Sequence, residues 1–293
     1  QAFAMETFSC APCPVGTYKN ASGGMTCTGC PPGWTTASQG GVSLADCSVF
    51  VSPAPPIVSG LIAYYTADSW NSSRKQWMDV SGSGNHVTEV GGSVMVWKGQ
   101  GGAPSYVYGG TTAWLKFPVG VLPSAAYTLL HVARYNGNTK GRIFQGVDTN
   151  FLSGFSHERS GVGHHGSCSW ITRVLDVHGS DWVVSADRSD SYRSNGVDRT
   201  TNKNNNCAAY DRLAINAGYA ASYSSDFAVQ TVLVYNRKLA DADIISLENW
   251  LTQCQLGFDI MQFSSFLCTK VNTPVIFRTF VIRDFDRVAH KTN

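Results

Sequence analysis

The chain has 293 residues, 43% hydrophobic and only 14% charged, and its 22 lysines and arginines nearly balance 20 aspartates and glutamates. An average soluble domain carries about 25% charge, so no basic field is available here to hold nucleic acid or anionic lipid. No uninterrupted apolar run approaches the roughly 20 residues that cross a bilayer as a helix, and no charged-then-apolar leader follows Gln1, so any signal peptide is expected to be removed or to lie upstream.

Five of the nine cysteines, Cys10, Cys13, Cys27, Cys30 and Cys47, fall in the first 47 residues. Between Cys10 and Cys47 the sizeable apolar residues are Val15, Tyr18, Met25, Trp34, Val42 and Leu44, too few for a core. Such a segment folds only under an added constraint, a disulfide framework or a metal. C-x-x-C occurs twice, at Cys10/Cys13 and Cys27/Cys30, which is a zinc-ribbon spacing. Against zinc, "CPVGTY" and "CPPGW" repeat one another, each followed by a Ser/Gly-rich loop and a further cysteine. Cys47 keeps the second repeat's spacing, which a four-ligand site does not need. N-x-S/T sequons at Asn20 and Asn71 also suit a secreted glycoprotein. Disulfides are the preferred reading.

The residues Cys13-Pro14-Val15-Gly16-Thr17-Tyr18, Cys27, Cys30-Pro31-Pro32-Gly33-Trp34 and Cys47 make this segment resemble the ephrin-receptor-like cysteine-rich repeat, a short extracellular module. The resemblance implies Cys13–Cys27 and Cys30–Cys47 pairs. Cys10 is then left over. In an array it closes a loop begun in a preceding repeat, an expectation of further repeats upstream or of an intermolecular bond; the alternative is a distant partner within this chain.

"VFVSPAPPIVSG" follows, with three prolines in four residues, and reads as a stiff extended linker. The expected organisation is a cysteine-rich module over 1–48, a linker over 49–59, a sandwich over 60–254 and a tail over 255–293. From Gly60 onward, short runs rich in β-branched and aromatic residues recur between turn residues, among them "LIAYYTA", "SYVYGG", "YTLLHVARY", "WVVSAD" and "FAVQTVLVYNR". Asn-Gly pairs in "YNGN" and "SNGV" predict hairpins. "LADADIISLENWLTQ" predicts one late helix, capped by Asp241, with Ile244, Leu247, Trp250 and Leu251 as its apolar stripe. The fold class is mainly β: a small disulfide-rich module plus a β-sandwich.

"GLIAYYTADSW", "WMDVSGSGNHVTEV" and "FAVQTVLVYNRKLADADIISLENWL" make the second part resemble a concanavalin A-like, or laminin G-like, jelly roll. The central "RIFQG", "WVVSADR" and "YRSNGVDRT" are similar to versions in surface proteins of algae and other protists, such as flagellar-hair proteins. This fold implies a lectin, a glucanase or an adhesion module. The glucanase pattern E-x-D-x-x-E, which aims acid and nucleophile into one cleft, is absent; Glu89, Glu158 and Glu248 are scattered. "SGSG" at Ser83 reads as a turn rather than a nucleophile elbow, and no P-loop or dinucleotide fingerprint is present. The chain is read as not an enzyme.

His157, His164, His165 and His178 lie near Cys168, yet adjacent strand residues point to opposite faces, so His164 and His165 do not share one ion. No cofactor is expected; calcium is the one cation considered, with Asp187 and Asp190 as candidate ligands outside any D-x-D-x-D-G loop. Asp79 is expected to bond backbone amides of its own turn. Trp70, Trp77, Trp97, Trp114, Trp170, Trp182 and Trp250 read mostly as core, with Trp70 and Trp170 as candidate glycan-stacking rings. Cys168 and Cys207 flank the "WVVSADR…YRSNGVDRT" hairpin and are paired in this reading; Cys254 and Cys268 are paired as a staple on the tail. "VIFRTFVIRDF" in that tail reads as a strand that joins this sandwich or a neighbouring subunit. The sum is an extracellular, non-catalytic structural or adhesive module, with surface or matrix subunits as partners. A glycan-binding lectin is the alternative, and a glycoside hydrolase the remote one.

Overall fold

The computed structural model describes residues 11–20, 26–30, 34–47, 49–50, 54–99, 103–123, 126–166, 169–173, 181–202 and 212–255. Cys10, Cys168, Cys207, His178, Cys268 and the tail strand lie outside the described residues, as does the side chain of Cys254.

Among the described residues up to 50, two short antiparallel pairs form, Thr17–Tyr18 with Thr28–Gly29 and Trp34–Thr35 with Val49–Phe50. Val15, Val42 and Leu44 stay exposed, so little apolar burial supports them. Two disulfides do, Cys13–Cys27 and Cys30–Cys47, closing loops of 14 and 17 residues. Closing a loop of that size removes about 3 kcal/mol of unfolded-chain entropy. Beside them Thr36 is buried; its hydroxyl accepts from the Gly16 amide at 3.1 Å and donates to the Ser38 carbonyl at 2.7 Å.

Two antiparallel sheets follow. One has eight strands, Leu61–Thr66, Met95–Trp97, Tyr106–Gly109, Thr128–Tyr135, Val183–Arg188, Ser191–Ser194, Val197–Asp198 and Phe227–Tyr235. Its centre is the pair Thr128–Tyr135 and Phe227–Tyr235; the latter pairs with Leu61–Thr66 along one half and Tyr106–Gly109 along the other. The second sheet has six strands, ordered Arg159–His165, Phe151–Ser156, Phe144–Gly146, Leu213–Ile215, Trp114–Lys116 and Glu89–Gly91.

The main core gathers residues of both sheets, including Leu129, Ala133 and Tyr135 of the first and Phe144, Phe151, Phe155 and Ile215 of the second. Leu130, Val132 and Leu233 point the other way and pack with Ile244, Leu247 and Trp250 of the helix Asp241–Trp250. This second covering explains why "TLLHVARY" and "FAVQTVLVY" are nearly continuous apolar runs: a strand buried on both faces has no polar side. A β-bulge opposite Val132 and Ala133 inserts Gln230, so the core-facing set changes phase from Phe227 and Val229 to Val232 and Val234.

Two local expectations are corrected. Asp241 is the first helical residue, behind an Ala240 cap that makes no side-chain bond; its carboxylate meets Arg188 at 3.0 Å instead. "SNGV" does form a hairpin, with Asn195 and Gly196 at φ 47° and 77°. "YNGN" does not: the strand ending at Tyr135 is followed by Phe144–Gly146 in the other sheet.

Candidate ligand-binding face

At one edge of the eight-stranded sheet, alternation places Tyr106 and Tyr108 on one side of their strand and buried Val107 on the other. Trp97 lies opposite Tyr106 and Met95 opposite Tyr108; Tyr108 is next to Ala228, and Ala228 next to Arg134. The small Ala228 leaves room for rings from both sides. Trp97 and Tyr106 stack at 5.0 Å and 19°, and Trp182 closes on Tyr106 at 5.5 Å. The Arg134 guanidinium lies 4.8 Å from the Trp182 ring centre and 5.4 Å from that of Tyr106. It donates to the Asn136 side chain at 3.0 Å, while its Nε has no hydrogen-bond partner.

Trp97, Tyr106, Tyr108, Trp182 and Arg134 are all half-buried and Met95 is exposed. The result is a sheet-borne aromatic platform with a cation at its rim. Such a surface offers flat π faces to the C–H groups of a ring and fork-like donors to its oxygens. Its rigidity comes from the sheet register rather than from a loop.

The aromatics proposed from sequence are placed differently. Trp70 is 7% exposed and part of the main core, so it presents no open face. Trp170 is half-buried on the other sheet's side, edge-on to His164 at 5.2 Å. Trp97, expected in the core, is half-buried at the sheet edge, and Trp182, also expected there, is partly buried against the helix-side core. The signal that could have separated them is the shared parity of Met95 with Trp97 and of Tyr106 with Tyr108.

The strongest acid–base constellation is internal. His165 Nε2 lies 2.8 Å from Asp187 Oδ1, and Tyr127 donates to the same oxygen at 3.3 Å. Burial pushes the Tyr127 phenol well above its usual range, with the neighbouring Asp187 charge adding to it. Both side chains of the His165–Asp187 pair are 0% exposed, so no substrate reaches them. Asp187 is thus spent on internal partners, and Asp190 on Arg188 and Lys238 at 2.6 and 3.3 Å. Among the described residues no cluster of three or more His, Cys, Asp or Glu side chains is poised to hold a metal ion. Glu89 pairs with Arg212, Glu158 sits exposed at a turn, and Glu248 is buried against Arg193. Asp79 is buried and accepts from the amides of Tyr64, Ser81 and Asn85, each at 2.9 Å, as its turn requires. Of the sequon asparagines, Asn20 is exposed and Asn71 half-buried, its Oδ1 accepting from Ser73 and Arg74.

The class these features define is a mainly β chain with a disulfide-bonded N-terminal module, a framework that persists in oxidising compartments. Among the described residues no helix is long and apolar enough to cross a membrane. Residues 1–47 match the family model described as tyrosine-protein kinase ephrin type A/B receptor-like. No curated protein sequence matches the chain.

Among solved structures, the binding domain of Paraclostridial Mosquitocidal Protein 1 superposes with a TM-score of 0.51 at 11% identity, over 67% of this chain and 53% of that one. The chain therefore spans about half of that domain. Domain 4 of AbnA, an extracellular arabinanase of Geobacillus stearothermophilus solved with arabinotriose, gives 0.46 at 17% identity, over 64% of this chain and 98% of that domain. Trypanosoma rangeli sialidase gives 0.47 at 15% identity, over 73% of this chain and 35% of the sialidase. The first of these supports a shared sandwich architecture and nothing finer.

Proposed function

We propose that the chain is a non-catalytic extracellular recognition module of a larger surface or matrix protein, and that its sandwich binds a glycan on the platform of Trp97, Tyr106, Tyr108, Trp182 and Arg134. The observation that carries this is the platform itself: four half-buried aromatic rings and one guanidinium gathered at a sheet edge. Rings of this kind bury well and are ordinarily taken into a core; left at a surface, together with an Arg, they mark a contact site. The non-catalytic part rests on the sealed His165–Asp187 pair and on the separate engagements of Glu89, Asp190 and Glu248. The cysteine-rich module and its disulfides support secretion, and the sandwich is the architecture of the toxin binding domain already described. Other subunits of the same surface or matrix would be its protein partners.

The test is a titration of the intact chain with neutral β-linked oligosaccharides, followed by tryptophan fluorescence. Saturable quenching that is lost in Trp97→Ala, with the melting temperature kept, is the expected result. No quenching by any oligosaccharide, or quenching unchanged in the variant, contradicts the reading. Release of reducing ends from β-glucans above a buffer control would contradict its non-catalytic part.

A further inference from the structure

The outer side of the six-stranded sheet carries a second constellation that the platform does not use. Arg142, just before the strand Phe144–Gly146, is 7% exposed, yet its Nε and Nη1 have no hydrogen-bond partner. The Tyr223 ring centre lies 5.6 Å from its guanidinium carbon. Burial pushes the guanidinium down from its ordinary value, and among the described residues the groups acting on it are Tyr223 and Tyr219 rather than a carboxylate. A buried charge without a counter-ion is unfavourable and survives where a ligand supplies the missing anion.

The neighbours say which anion. Gln145 is wholly buried, and neither its amide oxygen nor its amide nitrogen has a partner. It pairs across the sheet with Leu152, which pairs with His164, so Gln145 and His164 share the outward face. Gly218 lies against the Gln145 side chain, and the next residue, Tyr219, is 61% exposed. Tyr223 is 43% exposed. His164 sits near Arg142, engages the Asn150 carbonyl through Nδ1 at 2.6 Å and is turned edge-on to Trp170; burial lowers its proton affinity. Among the described residues Arg142 is the guanidinium of this site, and its single charge matches a monoanion such as a carboxylate. Exposed tyrosine rings offer faces for a saccharide.

We propose that Arg142, flanked by Tyr219 and Tyr223, forms a second binding site that takes the carboxylate of an acidic sugar, with Arg142 donating to the carboxylate and the tyrosines packing on the ring. It lies on the other sheet from the platform and stands or falls independently of it.

The experiment is saturation-transfer NMR and calorimetric titration of the full chain with glucuronate and its oligomers, against glucose, acetate and inorganic phosphate. Glucuronate is expected to bind, with ring protons saturated, and glucose and acetate at least roughly tenfold more weakly. Arg142→Gln should abolish glucuronate binding. Because that variant alters a buried residue, Tyr219→Ala is the second test: the side chain is mostly exposed, so the melting temperature should hold while affinity falls several-fold. Acetate or phosphate binding as tightly as glucuronate, indifference to Tyr219→Ala, or no binding by any of the anions at millimolar concentration would each overturn the proposal.

Discussion

His131 shows how one buried side chain couples the interior to solvent conditions. It lies at the sheet interface, stacked on Phe144 at 4.2 Å, with Nε2 3.1 Å from the Ser153 hydroxyl and Nδ1 without a partner. Burial pushes its imidazole from the ordinary 6.5 down to about 3. The folded state then binds fewer protons than the unfolded state between those values, so stability rises with pH across the window. The contribution is complete above about pH 6.5 and is lost progressively as pH falls toward 3. At about 1.4 kcal/mol per pH unit the whole span amounts to ~5 kcal/mol. Urea midpoints are expected to fall between pH 7 and pH 4, and His131→Leu should flatten that slope; a wild-type midpoint independent of pH in this window would contradict the account. Residues of this kind were only partly legible. Asp79 could be placed in its turn because Asp-Val-Ser-Gly carries its own backbone donors. The inward phase of His131, His165 and Asp187 could not be separated from surface histidine and aspartate, because polar residues inside a sandwich break the alternation that sequence reading relies on.

At the scale of elements, the late helix is held by more than its apolar stripe. Glu248 is buried beneath it, and Arg193 of the strand Ser191–Ser194 reaches Glu248 Oε2 at 3.0 Å through Nε and 2.9 Å through Nη2. Burial raises the Glu248 carboxyl above its usual range, with Arg193 pulling the other way. Removing one partner leaves a largely buried charge, so Glu248→Ala is expected to cost about 2–4 kcal/mol. The double change Glu248→Leu with Arg193→Met should recover most of that loss. Chemical denaturation of both variants beside the unaltered chain checks this; a double variant as unstable as the single one would show that Arg193 and Glu248 do not act as a pair. The helix itself, most central strands and the Asn195-Gly196 hairpin follow from residue pattern. The crossing after Tyr135 does not. Gly137 lies where an added Cβ would meet the Asp226 side chain at 2.5 Å, so its glycine serves a close approach rather than a two-residue turn. Trp97 is misplaced for a related reason: it has the composition of a core residue, and only its register with Tyr106 puts it at the sheet edge.

For the whole molecule, the two parts are stabilised by different means. The sandwich buries aromatic and branched side chains between sheets and under a helix, whereas the first 47 residues rely on two covalent loops. The double substitution Cys13→Ser/Cys27→Ser is therefore expected to collapse the amide dispersion of that module in NMR spectra while the sandwich's main melting transition persists; loss of both would contradict this division. Glycan-array binding of the intact chain beside a Trp97→Ala/Tyr106→Ala variant of equal melting temperature tests the proposed role of the platform most directly. The account predicts a defined set of bound glycans for the intact chain and none for the variant. An empty array for the intact chain, or the same set bound by both, would contradict it.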